Sequence, residues 1–275
     1  MKLASAILIG LGLYAAFVSA LYALQRSIIF RADLAPPPPA LNSVPGFQDV
    51  RVRTEDGLDL RSLYRAAQGD RPTLLFFHGN ADGLSGALQA TAGLVRHGYG
   101  LFLLEYRGYA HNPGSPSEEG LYADGRGALR WLEEHGVAST SIVLVGNSLG
   151  SGVAVELAAT HRVAGLVVIS AYTALPDVAA GAFPLVPVRL LMRDRFDNLG
   201  KLDRVTVPIL VLHGTHDRTI PYAHAVALTT AAGPRATLET FQGSGHELVY
   251  DAVLSPVIER WLSALDLGTA PKTRK

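Results

Sequence analysis

The stretch IVLVGNSLG, residues 142–150, decides the fold of this chain. Its β-branched start predicts a buried strand, and the small residues from Ser151 onward predict a helix that packs closely on a sheet. In the pattern Gly146-x-Ser148-x-Gly150 such a strand turns sharply into the helix, with the serine at the apex in a strained backbone conformation. The pattern alone occurs by chance, but in this setting it predicts a nucleophilic serine, Ser148.

Short apolar runs elsewhere in the chain predict the other strands of a sheet. They lie at 73–77, 101–104, 166–169, 209–212 and 236–241. Alternating patterns at 47–54 and 58–64 predict an antiparallel hairpin before them. Strand-helix units that repeat after a hairpin indicate an α/β fold, with a mostly parallel, doubly wound sheet and an antiparallel N-terminal edge.

One helix start is marked clearly in the sequence. The stretch Ser115-Pro116-Ser117-Glu118 offers a serine cap, a proline that suits the first turn and a glutamate that can close a capping box. We expect Ser115 to cap a helix that runs toward Trp131 and stops near Gly136.

Composition narrows the class of protein. A chain of 275 residues, 48% of them hydrophobic, suits one large domain with a buried core. The 24 Lys and Arg residues balance 24 Asp and Glu residues, so charge gives no reason to expect nucleic acid as a partner. The absence of cysteine excludes disulfides, thiolate metal sites and a cysteine nucleophile. Function must therefore be inferred from a site.

The N-terminal segment contains 22 consecutive uncharged residues, 3–24. As a helix they would span about 33 Å, enough to cross the hydrocarbon core of a bilayer. We therefore expect a single-pass membrane anchor over residues 1–25. A cleaved signal peptide is the alternative, because Val18-Ser19-Ala20 has the small-residue pattern of a cleavage site, although the apolar run is long for one. Lys2 before the run and arginines after it leave the orientation open.

Shifts in composition divide the rest of the chain. A Pro-rich linker is expected over 26–45, around Pro36 to Pro39, and a catalytic domain over 46–267. The polar, basic residues 268–275 predict a disordered tail. An apolar insertion at about 172–201 predicts a small lid that lines an acyl pocket, although its side chains could equally pack on the core.

A serine hydroxyl is a poor nucleophile, so Ser148 needs a histidine within hydrogen-bond reach and an acid to orient that histidine. His246 follows a glycine-rich loop after the last predicted strand, and Asp217 lies just past the strand at 209–212. The order serine, acid, histidine is that of α/β hydrolases. Either residue alone would be a weak candidate, but their placement after successive strands predicts a triad of Ser148, Asp217 and His246.

The tetrahedral intermediate of acyl transfer needs backbone N–H donors aimed at its developing negative charge. Leu149, directly after the nucleophile, should supply one donor. The loop His78-Gly79-Asn80, which follows the strand at 73–77, should supply the other from Asn80. The predicted oxyanion hole is therefore formed by the N–H groups of Asn80 and Leu149.

Six motifs carry a resemblance to a known family. They are HGNA at 78–81, EYRGY at 105–109, PSEEGL at 116–121, the serine turn at 146–150, HGTHD at 213–217 and GH at 245–246. Over about residues 46–265 the chain resembles membrane-anchored α/β hydrolases of the serine aminopeptidase, or Hydrolase 4, type, which include α/β-hydrolase-domain proteins related to depalmitoylases. The resemblance implies the α/β-hydrolase fold and the triad, and it does not specify the substrate.

The chain departs from that family pattern at two places near the predicted mouth of the site. Such proteins usually carry glycine where Asp82 stands, and a glycine and then a serine where Ala110 and Asn112 stand. The substrate preference of relatives is therefore not carried over. Arg107 is expected to tie loops together by hydrogen bonds rather than to bind substrate.

The expected function is that of a serine hydrolase that cleaves carboxylic esters or thioesters through an acyl-enzyme intermediate. Its substrate would be a small-molecule or lipid-like acyl compound, and the N-terminal helix would hold it at a membrane. No oligomer is required. His213, His216 and His224 are scattered and indicate a metal site only weakly, so no metal or organic cofactor is expected.

Two alternatives belong to other functional classes. A peptidase of the aminopeptidase type would need an acidic group to bind the substrate amine, which Glu118, Glu119 or Glu247 could supply, although a solvated surface explains these residues as well. An inactive membrane-tethered binding module could share the fold, but an intact triad argues against it.

Overall fold

A sheet of eight strands forms the centre of the computed structural model, which describes residues 2–265. The strands are β1 (Gln48–Arg53), β2 (Asp59–Arg65), β3 (Thr73–Phe77), β4 (Gly100–Leu104), β5 (Ile142–Asn147), β6 (Gly165–Ile169), β7 (Ile209–Gly214) and β8 (Ala236–Phe241). Their order is β1-β2-β4-β3-β5-β6-β7-β8. Pairing is antiparallel from β1 to β4 and parallel from β4 to β8, which confirms the predicted α/β architecture with its antiparallel edge.

Helices cover both faces of the sheet. The α-helices of the described residues are α1 (Lys2–Phe30), α2 (Leu84–Arg96), α3 (Glu118–Glu134), α4 (Leu149–Thr160), α5 (Leu175–Ala182), α6 (Val188–Leu191), α7 (Ala223–Ala232) and α8 (Leu254–Ala264). Short 3-10 helices lie at Ala32–Leu34, Ser139–Ser141, Leu199–Arg204, Gly233–Arg235 and His246–Tyr250. The tail predicted over 268–275, and the predicted end of the domain at 267, lie outside the described residues.

The core lies in two layers, one on each face of the sheet. Neighbouring residues of β5 enter opposite layers: Leu144 belongs to the layer that contains residues of α3, α4 and α7, and Val145 belongs to the layer that contains residues of α2 and α8. Every residue of β3, β4, β5, β6 and β7 is buried. Parallel strands covered on both faces are continuously apolar for this reason, so these runs were recognisable in the sequence. The predicted strand ends differ from the observed ones by at most two residues.

Helix α3 begins two residues later than the sequence suggests. Its cap is Ser117, whose Oγ accepts a hydrogen bond from the Gly120 N–H at 3.1 Å, so the expected cap at Ser115 is wrong. With this start Glu118 lies in the first turn, where the helix dipole favours a negative charge. Its carboxylate accepts hydrogen bonds from the insertion between β6 and β7, so it does not close a capping box.

Helix α1 extends five residues beyond the expected end of the anchor at 25, so the first residues of the predicted linker belong to the helix. Phe30 is buried and packs edge-on against Phe196, with ring centroids 6.3 Å apart, and its carbonyl accepts a hydrogen bond from the Tyr109 hydroxyl. Arg26 is paired with the buried Asp194 of the insertion at 2.8 Å. These contacts hold the last turn and a half of α1 on the domain that contains the sheet.

Most of the remaining part of α1 is exposed, although Gln25 is buried and Val18 and Leu21 are half-buried. The helical stretch Leu3–Leu34 has a mean hydropathy of 2.1 in its most apolar window, and none of that window is buried. Among the described residues this is the one helix long and apolar enough to cross a membrane. Its composition and position fit a membrane anchor and also a signal sequence.

Candidate active site

Ser148 lies at the sharp turn between β5 and α4. Its φ and ψ are 49° and −116°, in a region that side-chain-bearing residues rarely adopt. A Cβ atom at Gly146 would come within 2.5 Å of the Gly150 carbonyl oxygen, and one at Gly150 would collide with the Phe77 carbonyl. Both glycines are therefore required for the backbone to pass this closely, as the G-x-S-x-G pattern predicts.

The structure brings the three predicted triad residues together. Their loops follow β5, β7 and β8, and the carboxyl ends of these parallel strands meet at one edge of the sheet. His246 Nε2 is 3.1 Å from Ser148 Oγ, and His246 Nδ1 is 2.8 Å from Asp217 Oδ2. Ser148 keeps 8% of its surface exposed, and the Asp217 carboxylate is fully buried. This geometry lets the histidine exchange a proton with the serine while the aspartate orients its ring.

Backbone N–H groups hold Asp217 in its ionised form. Its Oδ1 accepts hydrogen bonds from the N–H groups of Thr219 and Ile220, at 2.9 and 2.8 Å. Burial by itself would raise the pKa of the Asp217 carboxyl, but the hydrogen bonds from His246 and from these N–H groups outweigh burial and lower it. The carboxylate therefore remains charged beside the histidine at neutral pH.

His213, which sequence reasoning connected only with a weak metal site, supports the same loop. Its Nε2 donates to the Ile220 carbonyl at 2.8 Å, and the ring is completely buried. Burial lowers the pKa of His213, so the ring is neutral and acts as a hydrogen-bond donor. The signal available in the sequence was its spacing four residues before Asp217, at the end of a buried strand.

Asn80 and Leu149, the two residues predicted to supply oxyanion donors, line the same pocket as Ser148. Leu149 is the first residue of α4, where a backbone N–H has no acceptor within its own helix. The Asn80 N–H donates to none of the described groups. A Cβ atom at Gly79 would lie 3.0 Å from Asn147 Nδ2, so glycine there lets the Asn80 loop approach the serine turn closely.

A buried ion pair lies behind the Asn80 loop. His78 Nε2 is 3.0 Å from Glu105 Oε1, and Glu105 Oε2 accepts a hydrogen bond from the Leu84 N–H at 3.0 Å. Burial by itself would lower the pKa of His78, but the adjoining Glu105 carboxylate raises it. This pair joins β3, β4 and the start of α2, and so fixes the loop from below.

The pocket above Ser148 has a volume of about 340 Å³, within the size range of small-molecule sites. Its polar lining residues include Ser148, His246, Asp82 and Glu247. Much of its apolar lining comes from α1, from the insertion and from the segment after His246: Ile28, Ile29, Leu175, Val178, Ala179, Ala182, Met192 and Val249. The insertion therefore lines the site, as expected for a lid, whereas the contribution of α1 was not anticipated.

Comparisons with known proteins agree with this fold. The family model of the α/β-hydrolase fold matches residues 72–199. An uncharacterized protein of Mycobacterium tuberculosis is 35% identical over 254 residues, which is 90% of each chain. Alpha/beta hydrolase domain-containing protein 17C of Xenopus laevis is 35% identical over 200 residues, 71% of this chain and 63% of that protein. The chain belongs to the α/β-hydrolase family.

Solved structures of α/β hydrolases share the same fold. An esterase from Pyrococcus furiosus matches 83% of this chain and 96% of its own, with a TM-score of 0.68 and 16% identity. An α/β hydrolase from Vibrio vulnificus matches 80% of this chain and 82% of its own, with a TM-score of 0.68 and 23% identity. These identities show the fold alone, and family membership together with the fold supports a hydrolase.

Within this α/β hydrolase, the departures from the family pattern make specific contacts. Asp82 accepts hydrogen bonds from the Gly83 N–H and the Tyr250 hydroxyl, at 2.8 and 2.9 Å, and so joins the Asn80 loop to the segment that carries His246. The Asn112 amide exchanges hydrogen bonds with the backbone of Arg61. Arg107 pairs with Asp56 and Asp124, as expected for a residue that ties loops together.

The acidic residues considered for amine binding lie in different places. Glu118 accepts hydrogen bonds from Tyr122 and from the N–H groups of Arg195 and Phe196, so its carboxylate is occupied. Glu119 is exposed on the first turn of α3. Glu247 alone of the three lines the pocket.

Proposed function

We propose that the protein is a serine hydrolase that cleaves carboxylic esters or thioesters through an acyl-enzyme intermediate. The observation that carries this proposal is the continuous hydrogen-bonded series from Ser148 Oγ through His246 to the buried Asp217, at 3.1 and 2.8 Å. Ser148 and His246 open into a pocket of substrate size, and Asp217 lies buried behind them.

In the first half of the reaction Ser148 Oγ attacks the acyl carbonyl carbon while His246 Nε2 takes the hydroxyl proton. The N–H groups of Asn80 and Leu149 stabilise the oxyanion. When the bond to the leaving group breaks, His246 gives its proton to the departing alcohol or thiol. In the second half water attacks the acyl-serine, His246 takes a proton from the water and returns it to Ser148, and the carboxylic acid leaves.

The pocket favours an acyl ester over a peptide. Its walls away from Ser148 are formed by aliphatic side chains, which suit an acyl chain. Asp82 lines the pocket, but its carboxylate already accepts two hydrogen bonds within the protein. Glu247 therefore remains as the one candidate of the aminopeptidase alternative.

We also propose that α1 anchors the protein in a membrane as a single pass and that its substrate is a lipid-like acyl compound. The exposed apolar window of α1 supports this proposal, because an exposed helix of this composition is more stable in a bilayer than in water. The function requires no second subunit and no cofactor, since the described groups supply nucleophile, base and oxyanion donors.

A fluorophosphonate probe tests the nucleophile. It should label the intact chain at Ser148, and Ser148→Ala should abolish labelling and reduce turnover of p-nitrophenyl butyrate by about 10⁴-fold or more. Ser151→Ala is the matched control, because Ser151 is buried one turn away and its Oγ donates to the Ser148 carbonyl. A folded wild-type protein that resists the probe would favour a binding module, and cleavage of aminoacyl anilides in preference to esters would favour a peptidase.

A further inference from the structure

Helix α1 continues from the proposed membrane segment into the active site. Ile28 and Ile29, near its end, line the pocket above Ser148. Val18, Leu21 and Tyr22, within the three preceding turns, line a second cavity of about 80 Å³ against the insertion. We call this second cavity the crevice.

The crevice adjoins the catalytic pocket. Four residues line both spaces, two from α1 and two from the insertion: Ile28, Ile29, Ala179 and Met192. From Val18 to Ile28 the helix rises about 15 Å, so the crevice extends the pocket along α1 by a comparable length. The direction of this extension is toward the exposed apolar part of the helix.

The surface of the crevice suits a hydrocarbon chain. Opposite α1 its wall is formed by Phe183, Val186 and Leu191 of the insertion. Its one amide side chain, Gln25, is already bonded at both ends: Nε2 donates to the Tyr22 carbonyl, and Oε1 accepts from the Arg193 N–H, each at 2.8 Å. An apolar ligand would therefore leave the hydrogen bonds of Gln25 intact.

The tip of the insertion indicates where such a ligand comes from. Leu185 and Leu190 are 83% and 82% exposed, more than any other large apolar side chain among the described residues. The Leu185 carbonyl accepts a hydrogen bond of 2.6 Å from the Tyr14 hydroxyl, so the tip lies beside the middle of α1. If α1 is in a bilayer, the tip and the outer end of the crevice are in it too.

We propose that the crevice is an acyl-chain subsite, which guides the chain of a membrane-resident ester or thioester from the bilayer along α1 to Ser148. The inference rests on the proposed function, because it takes Ser148 as the group that attacks the ester. Short acyl groups fit in the catalytic pocket alone, and long ones extend into the crevice.

Filling the crevice tests this assignment in the full chain, reconstituted in phosphatidylcholine vesicles. Leu21→Trp and Leu191→Trp should each lower kcat/KM for p-nitrophenyl palmitate relative to p-nitrophenyl butyrate by at least about tenfold. Their matched controls are Leu24→Trp and Leu190→Trp, at exposed leucines that do not line the crevice. The controls should keep the wild-type ratio.

The outcomes separate this inference from the proposed function. A wild-type protein that neither hydrolyses the butyrate nor reacts with a fluorophosphonate would overturn the function itself. If the wild-type protein does both, but Leu21→Trp and Leu191→Trp keep the wild-type ratio of palmitate to butyrate activity, the assignment of the crevice as a subsite is overturned and the proposed function stands.

A cross-linking measurement on the unmodified chain avoids any folding defect of the variants. A fluorophosphonate with a long alkyl chain and a terminal diazirine is attached to Ser148 and then irradiated. We expect cross-links to the residues that line the crevice, which are Val18, Leu21 and Tyr22 of α1 and Phe183, Val186 and Leu191 of the insertion. Cross-links confined to α7 or α8 would overturn the assignment.

The bilayer route has its own test in Leu190→Trp. In vesicles of brominated phosphatidylcholine the fluorescence of the new tryptophan should be quenched. The quenching of Trp131 and Trp261 is measured separately in the parent protein and subtracted. Emission unchanged from that in unbrominated vesicles would place the tip in water and overturn entry from the membrane.

Discussion

The pocket has two walls, and different forces hold them in place. On the catalytic wall, Asp217 and His246 are positioned by hydrogen bonds of 2.8 to 3.1 Å in the loops that follow β7 and β8. On the opposite wall, α1 and the insertion meet mostly through apolar side chains, together with hydrogen bonds of Tyr14 and Gln25 and the ion pair of Arg26 and Asp194. Directional bonds fix atoms for a proton transfer, whereas apolar contact tolerates sliding and suits chains of different length.

The largest effect is expected from a change confined to the catalytic wall. Asp217→Asn keeps the size of the side chain but removes the charge that stabilises the protonated ring of His246. We expect kcat for short and long esters alike to fall by about 10³- to 10⁴-fold, as loss of the triad acid does in other serine hydrolases. Steady-state kinetics on p-nitrophenyl butyrate and palmitate measures it.

Asp177→Asn is the control for that experiment, because Asp177 lies in the insertion, where it pairs with Arg189 and accepts from Thr173. It should retain activity on both esters. A loss confined to palmitate in Asp217→Asn would contradict the division of roles between the walls.

Sequence alone was sufficient for most of the catalytic wall, because its signals are local. Ser148 is marked by glycines two residues away, and Asp217 and His246 each follow a strand that is recognisable by itself. In a parallel sheet the carboxyl ends of such strands meet, so chain order predicts spatial proximity. The supporting contacts of His213 and Tyr250 were not predicted, because neither residue belongs to a motif that specifies its partner.

A smaller effect is expected from removing the ion pair that attaches α1 to the insertion on the opposite wall. Arg26→Met keeps an apolar stem but leaves the Asp194 carboxylate, which is 2% exposed, with the Glu118 N–H as its remaining donor. Because Arg26 itself is half exposed, we expect a loss of about 1–3 kcal/mol in stability. The butyrate activity should persist while the palmitate activity falls. Thermal unfolding and the ratio of the two activities measure these effects.

The control for Arg26→Met is Arg189→Met, which removes a more exposed ion pair of the same insertion. Surface pairs of this kind contribute about 0–1 kcal/mol, so stability should change little. If Arg26→Met and Arg189→Met lowered the free energy of unfolding equally, the ion pair with Asp194 would not be the contact that holds α1 on the domain.

The opposite wall could not be predicted from sequence, because its contacts join distant segments. Arg26 and Asp194 are 168 positions apart, and neither lies in a recognisable motif. The uncharged run ends just before Arg26, which suggested an anchor followed by a linker. Helix α1 nevertheless continues to Phe30, because Phe30 and Ile29 are covered by the catalytic domain.

The smallest expected effect is the pH dependence that the catalytic wall adds to stability. The pKa of Asp217 is lower in the folded protein than its ordinary value, because hydrogen bonds to the carboxylate outweigh burial. The contribution of the Asp217 carboxylate to stability is therefore complete above a pH of about 4, and it is lost as the pH falls through the folded-state pKa.

Asp217→Asn lacks this titration. Thermal unfolding of both proteins over a series of acidic pH values should therefore show that below a pH of about 4 the unfolding temperature of the variant falls less steeply than that of the wild type. Leu191→Ala, which changes only the apolar wall, should keep the wild-type slope, and a shallower slope in Leu191→Ala would mean that the two walls are coupled.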